Sequence, residues 1–176
     1  MLQETMTDSL WSNIFRTGDR DPELRERLQS VPVFASLNAR ELGGIERIMH
    51  HRQYAAGETV FKQGDPGVGM YVVMSGSVQI VYEPSGRVLA ELSAGDFFGE
   101  IALLTERPRS ATARAVTDCK LAGFFHVDLL DLLERKPKAG VAVLKALAEI
   151  AGARLVRADE KIRDLEQRIG ELNTAP

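Results

Sequence analysis

Apolar positions change their rhythm twice along this chain, and the two changes divide it into three parts. In residues 2–15, Leu2, Met6, Leu10, Ile14 and Phe15 recur at near-helical spacing, which predicts a short amphipathic helix. The run Gly18-Asp19-Arg20-Asp21-Pro22 breaks it. Asp21 as N-cap and Pro22 at the first helical position then open a helix that Pro32 closes. Asn38 opens another. Glu41 stands three residues later, as a capping box requires, and Leu42, Ile45, Ile48 and Met49 form the buried stripe. Near residue 52 the helical period gives way to short β-type runs: Glu58–Phe61, Met70–Met74, Val78–Tyr82, Val88–Leu92, Ala111–Val116 and Lys120–Phe125. Between them fall Gly57, Gly64-Asp65-Pro66-Gly67, Gly76, Pro84-Ser85-Gly86 and Gly95-Asp96. Turns spaced this closely, with no long helix between strands, predict an antiparallel sandwich, barrel or jelly roll and not a parallel α/β sheet. After residue 126 helical spacing returns, with a short helix Asp128–Arg135, a break at Pro137 and one long helix over 138–172.

The long helix carries a second pattern. With heptad position a at Val141, Ala148, Leu155, Ile162 and Ile169, position d falls on Leu144, Ala151, Ala158, Leu165 and Leu172. Every one is apolar, the signature of a coiled-coil seam. The g positions Arg154 and Lys161 face the e positions Asp159 and Glu166 of a parallel partner, opposite in sign in both cases. The expectation is a parallel homodimer through residues 141–172. The alternative, a helix packed on its own roll, fits the alanine-rich first half and fits Ile162–Leu172 poorly, because that end extends past a roll of this size.

Composition narrows the function. An apolar fraction of 44% supports a packed core and excludes general disorder. No uninterrupted apolar stretch is long enough for a membrane span. The start, MLQETMTDSLWS, is acidic and lacks the apolar run of a signal peptide, so a cytoplasmic protein is expected. The single cysteine, Cys119, cannot form an internal disulfide. Net charge is −3, and lysines and arginines are interspersed with acids, so no basic face points to nucleic acid. His50, His51 and His126 are not at metal-ligand spacing, and no carboxylate–histidine cluster marks an enzyme of the cupin type. Neither a catalytic site, a metal nor a cofactor is expected.

One segment is unlike the rest. Gly95 and Asp96 lead into Phe97-Phe98-Gly99-Glu100, then a short helix expected over Ile101–Glu106, which Pro108 ends just before Arg109. Gly99 lets the backbone approach a ligand closely. The first N–H groups of the short helix carry partial positive charge and favour an anion such as phosphate. Arg109 supplies formal charge and a planar fork suited to phosphate oxygens. Glu100 repels phosphate but accepts hydrogen bonds from a sugar hydroxyl. Taken singly, Gly99 is explained as a tight-turn residue and Glu100 as a helix-start acid. Together with Arg109 they read as a ribose-phosphate clamp.

The run Phe98–Ala115, FGEIALLTERPRSATARA, closely resembles the phosphate-binding cassette of the cyclic-nucleotide-binding domain family. Gly57–Asp65 and Tyr71–Val78 resemble that family's early hairpin and next strand pair, and the likeness covers roughly residues 34–172. It implies a fold of the α+β class: an antiparallel β-roll, jelly-roll-like, flanked by N-terminal helices and a long C-terminal dimerisation helix. The expected parts are a helical segment 1–33, a roll 34–136 with its cassette at 95–115, and the long helix 137–176. The resemblance implies that Glu100 binds the ribose 2′-hydroxyl and Arg109 the cyclic phosphate. Phe98 and Gly99 open this site. Backbone N–H groups of Ile101, Ala102 and Ala111 contact phosphate or sugar, with the Ser110 hydroxyl nearby. In some members two neighbouring hydroxyl residues of the dimer helix contact the base. Here those positions are Ala158 and Asp159, next to Arg157, so a carboxylate is placed to accept from an exocyclic amine and a guanidinium to stack on a purine. The implied ligand is a cyclic purine mononucleotide, cyclic AMP or cyclic GMP; Ser110 rather than threonine after Arg109 favours cyclic AMP. Family transcription factors carry a DNA-binding helix-turn-helix after this helix, and the present sequence stops at Pro176, so a sensor acting on an unknown protein partner is expected. The competing reading is a dimerisation scaffold on the same roll with no ligand. Trp11 serves either as a docking residue or in packing.

Overall fold

A computed structural model describes residues 22–105 and 107–174. The expected helix over 2–15, Trp11 and the Asp21 cap lie outside those residues. Helix α1 (Pro22–Ser30) and helix α2 (Ala39–Glu46) precede eight strands: β1 (His50–Tyr54), β2 (Thr59–Phe61), β3 (Gly69–Ser75), β4 (Ser77–Tyr82), β5 (Arg87–Ser93), β6 (Phe97–Phe98), β7 (Thr112–Ala115) and β8 (Cys119–Phe125). Helix α3 (His126–Arg135) and helix α4 (Pro137–Thr174) close the chain. The α2 capping box is formed: Asn38 Oδ1 accepts from the backbone N–H groups of Arg40 and Glu41, and Glu41 Oε2 accepts from Asn38 N–H, all at 3.0 Å. Leu42 and Ile45 are buried on the helix as expected, whereas Ile48 and Met49 follow its end in the turn toward β1.

The strands form two antiparallel four-stranded sheets, in the orders β1-β8-β3-β6 and β2-β7-β4-β5. Strand β3 shows why both are needed. Met70, Val72 and Met74 point to one face and Tyr71 and Val73 to the other, and all five are buried because each face has its own core. The first core joins Met70, Val72, Ala122 and Phe124 to the helices through Leu28, Phe34, Ile45, Leu132 and Val143. The second, between the sheets, holds Tyr71, Val73, Val78, Phe98, Ala113 and Leu121. This is the expected β-roll with helices on one side.

Two strands carry no sequence signal. Strand β1, with the sequence His-His-Arg-Gln-Tyr, is a sheet edge whose pairing with β8 comes from the backbone and whose middle residues face solvent. Strand β6 has two residues, held by Tyr71 and Val72 of β3. The cassette also differs from expectation. In place of a helix over Ile101–Glu106 there is one 3-10 turn, Glu100–Leu103, after which the N–H groups of Leu104 and Thr105 both bond to Ile101 O at 3.0 Å. A left-handed Gly99 before the turn and Pro108 soon after it leave no room for a longer helix.

Candidate ligand-binding site

The cassette sits where the β6 strand leaves the roll. Phe98 is buried in the inner core, stacked on Tyr71 with ring centroids 5.6 Å apart, and also touches Phe61. This anchor fixes where the next residue turns. Gly99 has φ +79°, a conformation an L side chain adopts only with strain. A Cβ there would also lie 2.6 Å from Arg109 Nη1. Gly99 therefore serves two ends: it turns the chain and it makes space for the arginine. Its carbonyl accepts from Ala102 N–H at 3.1 Å and from Arg109 Nη1 at 3.3 Å.

Arg109 is held from several directions. Its N–H donates to Asp65 O at 2.8 Å, and Gly64 N–H donates to its carbonyl at 2.9 Å, which ties it to the turn after β2. The guanidinium lies 3.9 Å from the centroid of Phe61, a cation–π contact. The residue is only 7% exposed, and its Nε finds no hydrogen-bond partner among the described residues. Burial lowers its pKa from the ordinary guanidinium value, while the nearby Tyr71, Asp65 and Glu100 act the other way. Arginine stays charged in proteins at neutral pH. The site thus presents a buried cation with unspent donor capacity, which is the arrangement that an anion stabilises.

Glu100 is buried more deeply still, at 1% exposure. Its Oε1 accepts from Arg154 Nη1, and Arg154 lies 54 residues away on α4. Sequence pattern alone does not reveal this contact: the heptad frame puts Arg154 at a g position beside the dimer seam and not at the cassette. The remaining cassette residues divide. Ala102 and Ala111 are buried, Ile101 and Ser110 are exposed, and the Ala102 N–H already bonds to Gly99 O. Arg157, Ala158 and Asp159 all lie on the exposed surface of α4, a turn or so beyond Arg154. The structure therefore brings Phe98, Gly99, Glu100 and Arg109 into one constellation and leaves the three proposed base contacts in solvent.

One further contact joins the cassette to the helices, and another joins α3 to the edge strand β1. His126 Nδ1 lies 3.0 Å from Leu103 O, and because a carbonyl only accepts, the ring proton is on Nδ1. Asp128 Oδ2 accepts from Phe125 N–H at 2.8 Å at the start of α3 and lies 3.3 Å from His50 Nε2. Among the described residues no group of histidine, cysteine or carboxylate side chains could hold a metal, and no helix is long and apolar enough to cross a membrane.

A β-roll with this cassette defines a class of regulatory ligand-binding modules. The family model described as the cyclic nucleotide-binding domain matches residues 51–136, and the chain belongs to that family. It is 37% identical over 135 residues to the cyclic AMP receptor protein of Thermus thermophilus, covering 75% of this chain and 61% of the receptor. The N-terminal domain of a transcriptional regulator from Streptomyces coelicolor superposes with a TM-score of 0.66 at 33% identity, covering 81% of this chain and 95% of that one. The regulatory domain of Toxoplasma gondii PKA, solved with cAMP, gives a TM-score of 0.59 at 28% identity, covering 64% and 46% of the two chains. The present chain spans less than two thirds of the length of the curated relatives it matches.

Proposed function

We propose that this chain is a non-enzymatic sensor for a cyclic purine mononucleotide, with cyclic AMP as the preferred ligand. The carrying observation is the buried Arg109 with its unpaired Nε, set beside the buried Glu100 on a turn that only glycine permits. Arg109 takes the cyclic phosphate and Glu100 the ribose hydroxyl. Phe98 and Gly99 shape the entrance. Ile101 and Ala111 offer backbone N–H groups, and Ala102, whose N–H is engaged within the turn, lines the site through its position. Ser110 lies at the exposed rim. The base is reached by Arg157, Ala158 and Asp159 once α4 lies over the cassette. The cAMP-bound Toxoplasma regulatory domain supports the choice of ligand, and the apolar residues that α4 exposes support a parallel homodimer.

The signal leaves through α3 and α4 toward a protein partner. A ligand shifts their positions only if it binds one arrangement better than the other. Phosphate and ribose are held by the roll in either arrangement; the base supplies the difference. Isothermal calorimetry with cyclic AMP and cyclic GMP tests the first step. Saturable heat with cyclic AMP, tighter than with cyclic GMP, is expected; heat with neither nucleotide would leave the roll a ligand-free scaffold.

A further inference from the structure

The first turn of α3 is tied to the roll on two sides. On the cassette side His126 Nδ1 donates to Leu103 O at 3.0 Å. On the other side Asp128 meets the edge strand β1: His50 Nε2 lies 3.4 Å from its Oδ1 and 3.3 Å from its Oδ2. The two ties respond differently to a proton. His126 gives the carbonyl a proton that the neutral ring already carries on Nδ1, so charging the ring at Nε2 leaves that bond in place. His50 faces a carboxylate, and charging its ring turns a neutral contact into an ion pair.

The surroundings of His50 make Asp128 its counter-ion. The imidazole lies on Phe125 of β8, with ring centroids 4.7 Å apart, and its cross-strand neighbour is Gly123, neither of them charged. From α3 it meets Asp128, whose side chain is 15% exposed against 42% for His50. Asp131, one turn further along α3, is held by Arg135. On β1 itself Arg52 shares the face of His50, and His51 points to the other. Arg47, three residues before His50, ends α2. Among the described residues β1 is the sheet edge, so no further strand brings a charge to it. One carboxylate thus faces the ring, and it belongs to the helix and not to the roll.

In the described arrangement Arg157, Ala158 and Asp159 lie in solvent, so the base half of the site is open. Bringing α4 over the cassette moves α3 as well, because the two helices are packed on each other at Leu133 and Gly140. The His50–Asp128 contact is at the long end of hydrogen bonding, so a tilt of α3 that carries Asp128 by about an ångström ends it. We propose that His50 is a proton-responsive positioning residue, whose charged ring holds Asp128 and with it α3 in the base-open arrangement, so that protons and cyclic nucleotide oppose one another. The proposal rests on the cyclic-nucleotide reading above. Protonation favours the arrangement that has the contact, and nucleotide the arrangement without it. The coupling is reciprocal: acid weakens nucleotide binding, and nucleotide capture expels a proton. Affinity is therefore full above the histidine range and falls as pH drops through it.

The test is calorimetry of the full chain with cyclic AMP from about pH 8 to about pH 5.5, the range in which histidine changes its charge. Each titration is run in two buffers of different ionisation enthalpy, so that proton release is read directly. The wild-type dissociation constant is expected to rise about threefold toward acid pH, the worth of a half-exposed ion pair, with net proton release on binding near about pH 6.5. His50→Gln should bind as the wild type does at about pH 8, keep that affinity in acid and release no proton. Asp128→Asn, whose amide oxygen still accepts from Phe125 N–H at the start of α3, should do the same. A merely structural role would weaken binding equally at every pH. A wild-type constant that does not move with pH although the heats saturate overturns the proposal and leaves the functional reading standing. So does a His50→Gln chain that keeps the wild-type pH dependence. Absence of nucleotide binding at every pH overturns both.

Discussion

Arg109 and Arg157 are assigned to one ligand and live in opposite surroundings. Arg109 is buried, with its backbone tied to the Gly64-Asp65 turn and its guanidinium resting on Phe61 and reaching Gly99 O. Arg157 stands in solvent on the open face of α4. The same contrast separates Glu100 from Asp159, one enclosed and the other exposed. The phosphate and ribose half of the proposed site is therefore enclosed by the roll, and the base half is not. An enclosed half gives affinity, because the cost of ordering it is met in folding. A half that must be assembled gives a conformational response, because it discriminates between positions of a helix.

The largest expected effect falls on the enclosed half. Arg109→Ala should weaken cyclic AMP binding by about 2–5 kcal/mol, the usual loss when one partner of a buried charge pair is removed. An unchanged dissociation constant by calorimetry would sink the assignment of phosphate to this residue. Next in size is the effect on the exposed seam of α4, the helix that carries the base half. Ile162→Asp combined with Leu165→Asp places charge on the exposed seam and should turn dimers into monomers by light scattering, with the thermal stability of the roll unaffected. A wild-type chain already monomeric in the same measurement would remove the dimer from the picture. The smallest effect sharpens the comparison itself. With cyclic AMP bound, amides of residues 128–160 should gain hydrogen-exchange protection beyond that of the cassette. Protection confined to residues 95–115 would mean capture without a response in α4.

The sequence makes the roll legible because its turns are marked by glycine and its core strands by apolar runs; β3 reads as continuous only because both of its faces are buried. It makes β1 illegible for the converse reason: an edge strand held by backbone pairing needs no apolar alternation. The Gly99-Glu100 and Arg109 signal is legible because close backbone approach and a fixed positive charge demand particular residue types. The Arg154–Glu100 contact is not. It joins residues on separate elements, and nothing local distinguishes Arg154 from the other arginines of an exposed helix face. The heptad frame gives it one partner on a second copy, and only the fold supplies the other. The 3-10 turn in place of a short helix follows from the left-handed Gly99, a backbone constraint that composition does not reveal.

The joint between α3 and α4 has a mechanical consequence. Lys136 caps α3 in a non-helical conformation, and Pro137 starts the next helix. Three residues on, Gly140 lies so close to Leu133 that a Cβ would sit 2.8 Å from its Cα. The two helices thus meet backbone to side chain at a fulcrum with no padding between them. From Gly140 to Leu172 the helix rises about 48 Å, so a swing of about 10° at the joint carries the far tip about 8 Å. A helix of this length hinged at such a joint is a lever: a small rotation at its base becomes travel at the tip comparable to the width of a helix.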